Sequence, residues 1–133
     1  MRTAFLSVGP VSDLEFADLS LRIDGERLEG KPLEIWRFRG KISNNNSFEL
    51  NRKMHSLLGG DCVHVIMDLS ELEYMNSTGV AILFSVFFRL KEMGGKMVIG
   101  GTHPFLRRVF GLMDLPPGMV MLDSVEAAKR VLF

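Results

Sequence analysis

Cysteine occurs once, at Cys62, so no internal disulfide can form. At the start of an expected strand it reads as a small buried hydrophobe. A chain without disulfide staples suits a reducing compartment. Charge of one sign is not in excess either: 16 Lys and Arg balance 16 Asp and Glu. Nucleic acid is therefore not the expected partner, since phosphate binding needs clustered cations. The basic pairs Arg107-Arg108 and Lys129-Arg130 read as solvated helix faces. Long hydrophobic runs are missing as well. The longest, residues 79–88, is interrupted by Ser85 and falls far short of the ~20 residues of a membrane helix. Residues 1–6 carry no signal-peptide apolar core. The expectation is a cytoplasmic protein with no membrane insertion.

What is present is apolar residue enough, 47% of 133 positions, to build one domain core. Residues 1–17 read as a loosely attached extension, because Pro10 and scattered acids break any period. The domain is expected over residues 18–133. Ser20-Leu21-Arg22-Ile23 and Leu33-Glu34-Ile35-Trp36-Arg37-Phe38-Arg39 alternate with period two, the pattern of half-buried strands. With turn signals between them they predict an opening hairpin. Asn44-Asn45-Asn46-Ser47 supplies caps for a helix to Leu58, with Phe48, Leu50, Met54, Leu57 and Leu58 as its apolar stripe. Val63–Met67 is nearly all apolar, as a central strand covered on both faces would be. A short polar turn follows, then a helix from about Ser77 to Met93 stopped by Gly94-Gly95. Lys96–Ile99 is a further strand. Pro104 opens a helix with Leu106, Val109, Phe110 and Met113 inward. Met119–Leu122 is a short strand, and Asp123-Ser124 starts a last helix burying Val125, Ala128 and Leu132. The order ββαβαβαβα argues for an α/β domain: a mixed, mostly parallel β-sheet with an opening hairpin and about four α-helices.

The chemistry concentrates at Ser77. A hydroxyl at a helix start can be a cap worth about 1 kcal/mol. It can be a phosphate acceptor, because helix N-terminal amides tolerate the added −1.5 to −2 charge. It can be a nucleophile, which needs a base and an oxyanion site. The local Met-Asn-Ser-Thr-Gly lacks the Gly-x-Ser-x-Gly elbow of serine hydrolases, and His55, His64 and His103 lie on other elements. Successive helical residues turn about 100°. Val80, Leu83, Phe87 and Leu90 then share a core face, and Ser85, Arg89 and Glu92 share a solvated one. Ser77, Ala81, Phe84 and Phe88 fall together on the flank. That strip either extends a partner-binding surface from Ser77 or packs beneath a neighbouring helix. Asp68 is expected to accept bonds from loop amides. Cys62 and His64 share a strand face, but two ligands make a poor metal site, and no metal or cofactor is expected.

Asp68-Leu69-Ser70, a spacer, Tyr74-Met75-Asn76-Ser77-Thr78-Gly79-Val80, and a helix ending in Gly94-Gly95-Lys96 together resemble the STAS domain. The pattern is most similar to the bacterial anti-sigma-factor antagonists, over roughly residues 33–132. The resemblance implies a regulatory protein without catalytic activity that controls transcription by switching partners. Ser77 matches the position phosphorylated in that family, and Thr78 and Gly79 match the next two. The implied partners are an anti-sigma factor that is also a serine kinase, with a histidine-kinase-like ATP-binding fold, and a serine phosphatase. A homodimer is a further possibility. The residues expected at the interface are Asp68, Asn76, Ser77, Thr78, Gly79, Ala81, Phe84 and Phe88. Two features depart from the family pattern: Asn76 stands where aspartate is common, and residues 2–16 have no counterpart. The alternatives are a constitutive STAS interaction subunit of a signalling or lipid-transport complex, in which Ser77 only caps the helix, and a small serine hydrolase.

Overall fold

Period-two alternation lays down the first part of the sheet. The computed structural model describes residues 9–58 and 64–133. Strand β2 (Leu19–Leu28) pairs antiparallel with β3 (Lys31–Ile42), the hairpin that the alternation predicts. Its two turn residues, Glu29 and Gly30, have φ of 53° and 79°. Two consecutive positive values suit the strand twist of a two-residue hairpin. Residues 9–16 differ from the sequence reading of an extension. They form β1 (Gly9–Phe16), antiparallel to β2. Pro10 is compatible with this because β1 is an edge strand whose register shifts between Pro10 and Ser12.

The chain continues as α1 (Ser47–Leu57), β4 (His64–Met75), α2 (Ser77–Glu92), β5 (Lys96–Thr102), α3 (Pro104–Gly111), β6 (Val120–Leu122) and α4 (Val125–Leu132). The six strands lie in sequence order, with β3 to β6 parallel. Right-handed crossovers between sequential parallel strands put α1, α2 and α3 on one face. There Leu50, Met54, Val80, Leu83, Val86, Leu106 and Phe110 bury against Trp36, Phe38, Met67 and Ile99. Helix α4 follows the last strand and covers the other face, where Val125, Ala128 and Leu132 meet Leu33, Ile35, Ile66 and Val98. The α/β class, the hairpin and the four helices agree with the sequence reading.

Besides β1, two elements depart from it. Phe48 was assigned to the buried stripe of α1, yet it is 74% exposed. It lies two residues from Leu50, about 200° around the helix, so the two cannot share a face. The second departure is the stretch after Met67, expected as a polar turn. It remains strand to Met75, with Leu69, Leu72 and Met75 buried. Their spacing of three hides the strand. The cause is in the register with β3: Arg37 and Arg39 face Asp68 and Glu71, and Gly40 and Lys41 face Leu72 and Tyr74. At each of these shifts β4 carries one extra residue, a bulge that re-aims the following side chains. Gly59-Gly60-Asp61, expected to close α1, and the strand-start position of Cys62 and Val63 lie outside the described residues.

Candidate functional site

The end of β4 delivers the chain directly into α2, and Asn76 is the hinge residue. Its backbone N–H donates to the Ile42 carbonyl (3.2 Å), tying the junction to the end of β3. Its side-chain Oδ1 accepts from the Gly79 N–H (2.8 Å), and its Nδ2 donates to Asn44 Oδ1 (3.0 Å). Asn76, in extended conformation, is therefore the N-cap, and Ser77 is the first helical residue. This corrects the reading of Ser77 as the cap. The Ser77 side chain is exposed, and its hydroxyl makes no hydrogen bond among the described residues. The first turn of α2 contains no acidic residue. A dianion on Ser77 would thus meet a helix N-terminus with no carboxylate in that turn.

Gly79 lets the helix start lie close to the sheet. A Cβ there would fall 2.4 Å from Met75 Cγ and 2.9 Å from Ile42 Cγ2. Apolar carbons rest 3.5–4.0 Å apart, so only glycine seats the first turn at this depth.

Along α2, Val80, Leu83, Phe87 and Leu90 are buried as expected. Ile82 and Val86 are buried too, because α1 packs along that side. Of the flank strip, Ser77 and Ala81 are exposed, and Phe88 is 48% exposed with its ring edge-on to Phe87 at 5.3 Å. Phe84 is only partly exposed and packs on the core. Phe84 therefore packs against its neighbours, whereas Ser77, Ala81 and Phe88 stay at the surface. Thr78 is exposed and lines a groove of about 430 Å³ between α1 and α2, with Phe48, Asn51, His55, Ala81 and Ser85. The sequence reading missed this groove; the impossible face shared by Phe48 and Leu50 was its one signal.

Ser85 faces this groove rather than solvent alone. Its hydroxyl donates to the Ile82 carbonyl (2.7 Å) and so accepts from His55 Nε2 (3.0 Å). His55 is a donor in that pair, not a base. His103 caps α3, accepting from Phe105 N–H at Nδ1 (3.2 Å). His64 begins β4, at the opposite end of the strand from Ser77. None of the three stands beside Ser77.

Asp68 is likewise apart from the helix start. Six residues of β4 lie between it and Met75, and their β3 partners Arg37 and Ile42 are five steps apart, roughly 17 Å at strand rise. It accepts from Arg37 Nη1 (2.8 Å), Ser70 N–H (3.0 Å) and Ser70 Oγ (2.6 Å). Asn76, Ser77, Thr78, Gly79 and Ala81 do come together. Burial lowers the pKa of His64, with Lys96 and Lys31 acting in the same direction. No group of three or more potential metal ligands occurs among the described residues, and no described helix is long and apolar enough to cross a membrane.

A mixed sheet, a capped helix start and an exposed serine beside a close-packed glycine define this α/β domain. The STAS domain model matches residues 28–128, and the chain belongs to that family. An anti-sigma F factor antagonist of Paenibacillus polymyxa is 22% identical over 107 residues, covering 80% of this chain and 90% of that protein. The crystal structure of an anti-sigma factor antagonist from Mycobacterium paratuberculosis superposes with a TM-score of 0.67 at 22% identity, covering 90% and 98% of the two chains. The Bacillus cell fate determinant SpoIIAA in its phosphorylated form gives 0.58 at 22% identity, covering 82% and 98%.

Proposed function

We propose that this protein is an anti-sigma-factor antagonist that switches partners through reversible phosphorylation of Ser77. Unphosphorylated, it binds an anti-sigma factor that is also a serine kinase, and so releases a sigma factor for transcription. Phosphate on Ser77 ends that binding, and a serine phosphatase restores it. The domain itself catalyses nothing.

The observation that carries this reading is the helix start. Asn76 takes over the capping, which leaves the Ser77 hydroxyl exposed and unengaged. A phosphate there adds about −1.5 to −2 charges and three acceptor oxygens, next to unpaired first-turn amides. The added charge alters the surface beside Thr78 and Ala81 without breaking a core contact, as a reversible switch requires. A phosphorylated protein of the same fold supports the assignment.

The test is to incubate the protein and its Ser77→Ala variant with ATP and lysate of the native host, then map phosphate by peptide mass spectrometry. Phosphate on Ser77, absent from the variant, is the expected result. Phosphate elsewhere only, or none while a control substrate is phosphorylated in the same lysate, overturns the switch and leaves a constitutive interaction subunit.

A further inference from the structure

A second site lies at the far end of α2, unrelated to the phosphorylation reading. A cavity of about 320 Å³ opens where the end of α2, the start of β5, the Gly118 turn, β6 and α4 converge. Phe87, Met97 and Val98 line it and are buried, Phe87 and Met97 from the α2 side of the sheet and Val98 from the α4 side, so the cavity wraps the sheet edge. Val120 and Val131 form its walls and remain 40% and 47% exposed. These are large apolar side chains left wet around a concave space, at the low end of the size range of small-molecule sites. Gly118, with φ of 90°, turns the chain beside the cavity.

The rim is cationic. Lys91 and Lys96 line the mouth, both exposed and neither in an ion pair among the described residues. Lys129, on α4, is instead neutralised by Glu26 at 2.6 Å. No Asp or Glu lines this cavity. The C-terminal end of α2 contributes about half a negative charge nearby, which two ammonium groups outweigh.

We infer that this cavity binds the tail of a medium-chain, carboxylate-headed amphiphile, with Lys91 and Lys96 receiving the head group. An apolar floor selects the chain, and the paired cations select the sign of the head. Each buried CH₂ is worth about a fourfold change in affinity.

Sodium decanoate below its micelle concentration is titrated into ¹⁵N-labelled protein, with octanoate and decyltrimethylammonium as comparisons. Saturable shifts at Val98, Val120 and Val131 are expected, with octanoate weaker by about fourfold per CH₂ removed from the cavity. The cationic amphiphile should bind at least tenfold more weakly than decanoate. Exchanging both lysines (Lys91→Glu with Lys96→Glu) should reverse that preference; both side chains are exposed, so the fold is retained. Val131→Glu, on the outer face of α4, should weaken decanoate alone. Equal binding of both head groups, shifts that never saturate, or concentration-dependent self-association through Val120 and Val131 in place of ligand binding would each overturn the inference.

Discussion

Replacing Gly79 by alanine probes the packing that seats Ser77. On an exposed helix, Gly→Ala stabilises by roughly 0.5–1 kcal/mol through backbone entropy. Here the new methyl would lie 2.4 Å from Met75 Cγ and 2.9 Å from Ile42 Cγ2. Met75 is 5% exposed and Ile42 fully buried, so neither swings out to solvent. Restoring a contact of about 3.5 Å requires a shift near 1 Å at Met75, and overpacking of this kind costs about 1–3 kcal/mol. The penalty exceeds the entropy gain, leaving a net loss of about 1–2 kcal/mol. In urea the midpoint should fall with an unchanged slope, and Tm should drop by about 4–8 °C. Shortening the neighbour as well isolates the cause: in a Met75→Ala background the same change should cost markedly less, a coupling that a double-mutant cycle reads directly. If Gly79→Ala is as stable as the parent protein, the close approach of α2 to β3 and β4 is not what positions the helix start.

Three further outcomes follow from the same geometry. Asn76→Ala removes the cap and its bond to Asn44 and should cost about 1–2 kcal/mol in urea unfolding, whereas Asn76→Asp, an equally good cap, should cost far less. Phe88→Asp, at a half-exposed position packed edge-on to Phe87, should cost about 1–2 kcal/mol of unfolding free energy; on the proposed function it should weaken binding of the anti-sigma partner by tenfold or more in calorimetry, and unchanged affinity would remove Phe88 from the interface. His64 supplies a pH dependence: its folded pKa is lowered by burial, then by Lys96 and Lys31, so the unfolded chain binds the extra proton first. The stability it confers is complete above its ordinary value of 6.5 and is lost as pH falls through that value towards the lower folded one. Urea midpoints measured from pH 8 to 5 should show that decline, and His64→Phe should flatten it.

The sequence carried the hairpin, the order of the parallel strands and the caps at Pro104 and Ser124, because each rests on a local period or a local hydrogen bond. It also carried the serine turn, through a motif. It did not carry β1, whose pairing depends on an available edge of β2 rather than on its own pattern. Nor did it carry the length of β4, where two bulges stretch the apolar spacing from two to three. The cap moved by one residue, from Ser77 to Asn76, because Asn44 and Ile42 fix Asn76 from a distance in sequence that no periodicity reports. Asp68 looked adjacent to Ser77 only while the intervening residues were taken for a compact turn. The α1–α2 groove, in turn, needed the packing of two helices to exist at all.

The two bulges of β4 also set the position of the helix start that carries Ser77. The last residue of β4 paired with β5 is Leu69, opposite Thr102, so Ser70–Met75 runs on beside β3 alone, a jetty reaching past the sheet. Ser77 sits at its tip, clear of β5. The reach of that tip depends on how many residues lie between Asp68 and Met75, because the two extra residues are taken up in the bulges before Met75 meets Ile42. Deleting one of them would either close a bulge or draw Met75 and the helix start back along β3. Exposed residues such as Glu71 and Glu73 therefore matter by their number more than by their chemistry.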